Sequence, residues 1–170
     1  MRLLGRDFSV VVSDAPECDA THFTPHEVCQ LNAHRKARTV AKHHLDALVI
    51  GADTEVALNT QIFGKPHSLK GAEEMLMRLQ GKTHEVVTGV CLLHLRTHRE
   101  KLFAVNTRVK FHPLTLEQVR NYLQLINPLD KAGAYAVQEH GELIVEAIDG
   151  SLTNVVGLPV EALREELSVW

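Results

Sequence analysis

The most informative chemical feature of this 170-residue sequence is an acid at the end of a short apolar run. Residues 47–52, Ala-Leu-Val-Ile-Gly-Ala, are too few for a helix and read as a buried strand, which Asp53 and Thr54 close. Open α/β sheets place their ligands at such strand ends. A carboxylate there can hold a divalent metal or accept a proton from water. From the tetrapeptide Gly51-Ala52-Asp53-Thr54 alone, an acid that simply ends the strand in a turn is an equal reading. Three lysines stand in turn-like or small-residue surroundings: Gly64-Lys65-Pro66, Gly81-Lys82-Thr83 and Asp130-Lys131-Ala132-Gly133. Each alone is a solvated charge. Grouped around one acidic strand end, their compact ammoniums suit an anionic, metal-bound substrate such as a nucleotide.

Lys36, in His34-Arg35-Lys36-Ala37-Arg38, reads either as part of a basic exposed helix face or as a lysine turned toward the strand ends. Glu17 and Asp14 compete as a second metal carboxylate from the loop after the first strand, and residue chemistry alone selects neither. Two motifs are decoys. Gly81-Lys82-Thr83 resembles the end of a phosphate-binding loop, but that motif needs glycine where Leu76 stands, and the tripeptide follows a helix. His94 and His98 are four apart without the Glu that a zinc-protease motif requires.

The elements that must position these residues follow from periodicity and caps. Residues 8–12, Phe-Ser-Val-Val-Val, predict a short strand. Thr24-Pro25-His26-Glu27 is a capping box with proline at the first helical position. Val28, Leu31, Ala37, Val40 and Ala41 continue as a helical stripe that fades near His43-His44. Residues 55–63 predict a hairpin turning at Asn59-Thr60, and 68–80 a second helix stopped by Gly81. Strands are expected over 84–95 and 102–112, joined by a polar stretch at 96–101. Thr115 and Gln118 open a third helix ended by Asn127-Pro128, followed by a strand over 142–148 and a last helix over 159–167. Interleaved strands and helices imply an α/β fold with a mixed sheet.

Composition sets outer bounds. The chain is 45% hydrophobic and 23% charged, an ordinary globular balance able to bury a core. A formal charge of −3 argues against a nucleic-acid-coating surface. No apolar run reaches the roughly 20 residues of a membrane span, and the N-terminus lacks a secretory core. Cys18, Cys29 and Cys91 are odd in number and widely spaced, which fits reduced thiols in a cytosolic protein.

Taken in order, several motifs carry a resemblance. After Gly51-Ala52-Asp53-Thr54 and Gly64-Lys65-Pro66 comes the stretch 79–90, Leu-Gln-Gly-Lys-Thr-His-Glu-Val-Val-Thr-Gly-Val. Residues 130–138, Asp-Lys-Ala-Gly-Ala-Tyr-Ala-Val-Gln, and 154–159, Asn-Val-Val-Gly-Leu-Pro, complete the series. From about Leu4 to the C-terminus the sequence resembles the Maf family of nucleoside triphosphate pyrophosphatases. The resemblance implies a single α/β domain over residues 1–170, with an elongated mixed sheet flanked by helices and a cleft between two lobes. It implies hydrolysis of a nucleoside triphosphate between the α and β phosphates, a Mg²⁺ or Mn²⁺ ion, a cytoplasmic homodimer, and neither a nucleic-acid polymer nor a membrane as partner. By motif, Asp53 is the implied proton acceptor and Glu17 and Asp53 the metal carboxylates. Thr54 and Gln138 fall at positions tied to base selection. Lys36, Lys65 and Lys131 match lysines that meet phosphate, and Lys82 matches a further motif lysine.

The Asp-Thr and Ala-Tyr-x-x-Gln pairing resembles the dTTP/UTP-type members, where a Thr hydroxyl and a Gln amide offer the mixed donor and acceptor set a pyrimidine edge needs. Modified pyrimidine triphosphates fall within the same reading. One departure stands out. Family members begin with an apolar strand leading into a Ser-x-Ser-Pro-Arg-Arg segment that resembles a phosphate clamp, and neither is found here. Arg2 and Arg6 are the nearest substitute charges. The expectation is therefore a domain lacking its first strand and clamp, and the alternative function is a weakly active or inactive nucleotide-binding protein with a regulatory role in cell division.

Overall fold

The computed structural model describes residues 4–18 and 22–170. Arg2 lies outside the described residues. Five strands form one sheet in the order β2-β1-β3-β4-β5: β1 Val49–Leu58, β2 Gln61–Phe63, β3 Thr83–His94, β4 Arg99–Phe111 and β5 Val145–Asp149. The α/β class is borne out, with helices flanking the sheet. All four described junctions are antiparallel rather than mixed, because each follows a hairpin or pairs strands running opposite ways.

Local signals set the element ends. Helix α1, Pro25–Ala41, opens with the expected capping box: Glu27 N–H donates to Thr24 Oγ1 while Thr24 N–H donates to the Glu27 carboxylate. Asn59 takes a left-handed φ of 57° at the β1–β2 turn. Helix α2, Leu69–Leu79, is capped by Ser68 and followed by Gly81 at φ 65°. Helix α3, Leu116–Leu123, carries the second capping box. Helices α4, Leu152–Val155, and α5, Val160–Ser168, close the chain. The β3–β4 connection is tighter than expected, since β4 already begins at Arg99.

Strand alternation puts helices on both faces. Cys91 and Leu93 of β3 pack against Ala33, Ala37 and Ala41 of α1. Val90 and Leu92, pointing the other way, pack against Leu163 and Leu167 of α5. A larger core at the other end of the sheet joins Val56, Phe63, Leu76, Val86, Phe111 and Tyr122. Helix α1 lies close against the sheet because two strand positions lack side chains. A Cβ on Gly51 would strike the Ala33 carbonyl oxygen, and one on Gly89 the backbone at Cys29 and Gln30.

Residues 8–12 correct the sequence expectation. They run outside any strand, with Val10 82% and Val12 90% exposed. β-Branched residues favour an extended chain, but a strand needs a ladder partner. Between this segment and β1 lies a cavity of about 710 Å³, lined by Phe8, Val10 and Val11 on one side and residues 48–52 on the other. The β1–β2 ladder covers only Val56, Ala57 and Leu58. The edge of β1 over residues 49–55 therefore has no ladder partner among the described residues on the β2 side.

Candidate active site

A cavity of about 470 Å³ wraps around this free edge. Asp53 and Glu55, two apart on β1, project from the α1 face, whereas Thr54 and Val56 project from the opposite face. The cavity draws on both sides. Asp53, Thr54, Lys36, Lys65, Lys131, Gln138 and Glu17 all line it. Residues spread over 122 positions of sequence thus meet in one place.

Asp53 is 8% exposed, and both its oxygens are engaged. Oδ1 accepts from Lys36 Nζ at 2.5 Å and Oδ2 from Asn32 Nδ2 at 3.1 Å. The Lys36 ammonium also lies 2.8 Å from Glu17 Oε1. One cation therefore sits between two carboxylates, and this geometry favours the reading of Lys36 as turned toward the sheet. Asp53 and Thr54 do not close the strand as the sequence suggests: β1 runs on to Leu58 because its ladder with β3 continues past them to Ala57, so the acid stands in the middle of the strand. Burial pushes the Asp53 carboxyl upward, and the bonds from Lys36 and Asn32 only partly offset it. Glu17 moves down, chiefly through its hydrogen bond from Lys36. For Lys36, burial opposes the charge, but its bonds to Asp53 and Glu17 prevail and its pKa rises. Asp14 is exposed and does not line the cavity.

Glu55 was not singled out from the sequence, although period-two alternation from Asp53 places it on the same face. Burial, followed by the Asp53 and Glu17 charges, raises its pKa to about 7. Asn32 and Glu139 also escaped notice. Asn32 sits one turn before Lys36, and Glu139 lies 3.4 Å from Lys131 Nζ.

The lysine loops are tied together. Gly133 N–H donates to the Gly64 carbonyl at 3.2 Å, joining the turn that carries Lys65 to the one that carries Lys131. Gly133 adopts φ 70°, and a Cβ there would press on the Val56 side chain at 3.0 Å. Lys131 Nζ pairs with Asp130 at 3.0 Å, a bond that raises the lysine's pKa. Gln138 is exposed at the rim. Tyr135 forms the floor: its hydroxyl meets Nε2 of buried His84 at 2.9 Å, and both rings pack edge-on with Phe111.

Thr54 is anchored from below. Its Oγ1 lies 2.9 Å from Thr88 Oγ1, which donates to the Asn154 carbonyl at 3.0 Å. Asn154 Nδ2 donates to the Val86 carbonyl at 2.9 Å and to Thr107 Oγ1 at 3.0 Å. This network fixes the turn at 155–157, and Gly157 leaves room above the Thr54 hydroxyl.

Lys82 does not join the cavity. Its ammonium donates to the Arg78 carbonyl at 2.8 Å, capping the end of α2. Its motif turn serves α2 and the start of β3. Arg6 lines the neighbouring cavity beside β1 instead.

Among the described residues, no three His, Cys, Asp or Glu side chains converge as a ready-made cation site. The donor set still fits a hard cation. Mg²⁺ is commonly held by one or two carboxylates together with substrate phosphates and water, and Asp53 and Glu17 already share one positive charge. No described helix is long and apolar enough to cross a membrane.

Comparison with known proteins points the same way. The family described as "Maf-like protein" matches residues 1–170. A dTTP/UTP pyrophosphatase of Akkermansia muciniphila is 43% identical over 164 residues, covering 96% of this chain and 86% of that protein. One from Carboxydothermus hydrogenoformans is 40% identical over 163 residues, covering 96% and 87%. One from Bacillus velezensis is 40% identical over 170 residues, covering 97% and 88%.

Proposed function

The chain belongs to the Maf-like protein family, and from that premise we propose that it is a nucleoside triphosphate pyrophosphatase acting on dTTP and UTP. Water adds to the α phosphorus, the bond to the α–β bridging oxygen breaks, and the products are the nucleoside monophosphate and pyrophosphate. The observation that carries the reading is the convergence of Asp53, Thr54, Lys36, Lys65, Lys131 and Gln138 on one cavity.

Each residue has a distinct part. Lys65 and Lys131 approach from two linked turns and suit the phosphate chain, so that charge growing on the pyrophosphate leaving group meets fixed cations. Asp53 orients the attacking water and takes up its proton, in a buried setting that favours protonation. Lys36 holds the carboxylate in place and offers a third ammonium once a ligand enters. Thr54 and Gln138 read the base through a hydroxyl and an amide. When bound, a divalent cation, Mg²⁺ or Mn²⁺, held by Asp53 and Glu17, supplies neutralising charge at the phosphate oxygens. Dimer formation and a cytoplasmic location belong to the same reading and rest on the family resemblance.

The test is pyrophosphate release from a panel of nucleoside triphosphates with Mg²⁺ or Mn²⁺. Turnover of dTTP and UTP well above the purine triphosphates is expected. Equal rates across all bases, or no release from any, would reject the assignment.

A further inference from the structure

Asn32 is a polar side chain in the middle of α1, only 2% exposed. Its neighbours toward the sheet are Cys29, Ala33 and Ala37, all buried and small. Asparagine is a poor helix former, and its amide is costly to bury unless fully bonded. Here both ends are used. Nδ2 donates to Asp53 Oδ2 at 3.1 Å, and Oδ1 accepts from Cys18 N–H at 2.8 Å. The partners fix the amide's orientation, because a carboxylate only accepts and a backbone N–H only donates.

One side chain therefore joins three parts of the fold: the helix, the acid on β1, and the segment where Glu17 precedes Cys18. Residues 6–18 belong to no regular element. Glu17 depends on two ties to the body, its ion pair with Lys36 and the adjoining Cys18 bond to Asn32. Asp53 is held by the same two residues, with Lys36 on one oxygen and Asn32 on the other.

We propose that Asn32 is a positioning residue for the reaction: it fixes the Asp53 carboxylate plane and the distance of Glu17 from it, so that the two acids engage a divalent cation together. The proposal rests on the nucleotide-hydrolysing reading above. Without the amide, the Asp53 carboxylate turns about its remaining bond to Lys36. The Cys18 N–H is left unpaired, and Glu17 keeps only its ion pair with half-buried Lys36.

The test compares the wild-type protein with Asn32→Leu and with Asn32→Ser, whose side chain is too short to span both partners. Mn²⁺ alone is titrated and followed by electron paramagnetic resonance, kcat and KM for dTTP are measured separately, and thermal unfolding reports integrity. The Mn²⁺ dissociation constant is expected to rise at least roughly tenfold, the usual scale for losing an outer partner of a metal carboxylate. A kcat loss of similar size should accompany it, with KM for dTTP changing much less. Asn32→Ser carries the test if Asn32→Leu does not fold. Wild-type Mn²⁺ affinity and kcat in a folded variant would overturn the proposal, as would losses that vanish on cooling well below the unfolding midpoint. If wild-type protein releases no pyrophosphate, the proposed function fails, while the Mn²⁺ comparison still decides the role of Asn32.

Discussion

Asp53 stands directly opposite Gly89 across the β1–β3 ladder. The acid and the missing side chain share one face, and the gap at Gly89 lets the backbone of α1 at Cys29 and Gln30 come down beside them. The reach of Asn32 and Lys36 to Asp53 depends on that approach. Gly89→Ala should push α1 outward, lower stability by about 1–3 kcal/mol as overpacking does, and reduce turnover through misplaced Lys36. Urea unfolding checks the stability. Gly64→Ala is the control, because a Cβ there meets nothing within 4 Å.

Replacing the acid itself separates chemistry from binding. Asp53→Asn keeps the volume and removes the proton acceptor. Its kcat for dTTP should fall on the order of 10²–10⁴-fold. A variant that keeps full turnover would transfer the role to another group.

The two motif lysines should behave differently. Lys65→Ala removes a cavity charge and should raise KM for dTTP about tenfold or more. Lys82→Ala, which loses only a bond to the Arg78 carbonyl, should leave kcat/KM within about twofold of wild type. Steady-state kinetics on both variants decides the matter.

Glu55 makes the metal-free protein sensitive to alkali. Its pKa is raised to about 7 in the fold against an ordinary 4.5, so the folded state prefers the protonated form. That preference helps stability below pH 4.5 and is lost as pH rises through 7. Glu55→Gln should therefore unfold at a higher temperature than wild type at pH 8, while the two differ little at pH 4.5. Thermal melts at the two pH values in chelator measure this.

His84 has the opposite sign. Burial lowers its pKa from 6.5 to about 4, so the fold prefers the neutral ring. The resulting stability is present above pH 6.5 and lost as pH falls through 4. Wild-type unfolding free energy should decline over that window by up to about 1.4 kcal/mol per pH unit from this one group. In His84→Leu the decline should be shallower, as read from urea titrations at a series of pH values.

Much of this was legible in the sequence because the signals are local. Two capping boxes, the Asn59 turn and the Gly81 stop each depend on a few adjacent residues. The cavity was legible through motif order, which places Asp53, Lys65, Lys131 and Gln138 without any knowledge of distance. Whatever depended on tertiary contact was not. Residues 8–12 have strand chemistry but no ladder, and Lys82 has motif company but faces α2. The stripe that α1 buries runs through Cys29, Asn32 and Ala33 rather than Leu31 and Val40, because Gly51 and Gly89 invite small residues to the sheet. Glu55 carries no local motif, and what distinguishes it, burial beside the Asp53 and Glu17 charges, exists only in the folded chain.

The open flank of β1 changes how this pocket should be dissected. Residues 52–55 line it along an edge where β2 does not reach, so the main-chain groups there that point away from β3 are open to a ligand alongside the side chains. Such contacts survive every side-chain replacement. A scan by alanine would therefore account for only part of the recognition, and backbone ester substitution at those positions is the tool that would reveal the remainder.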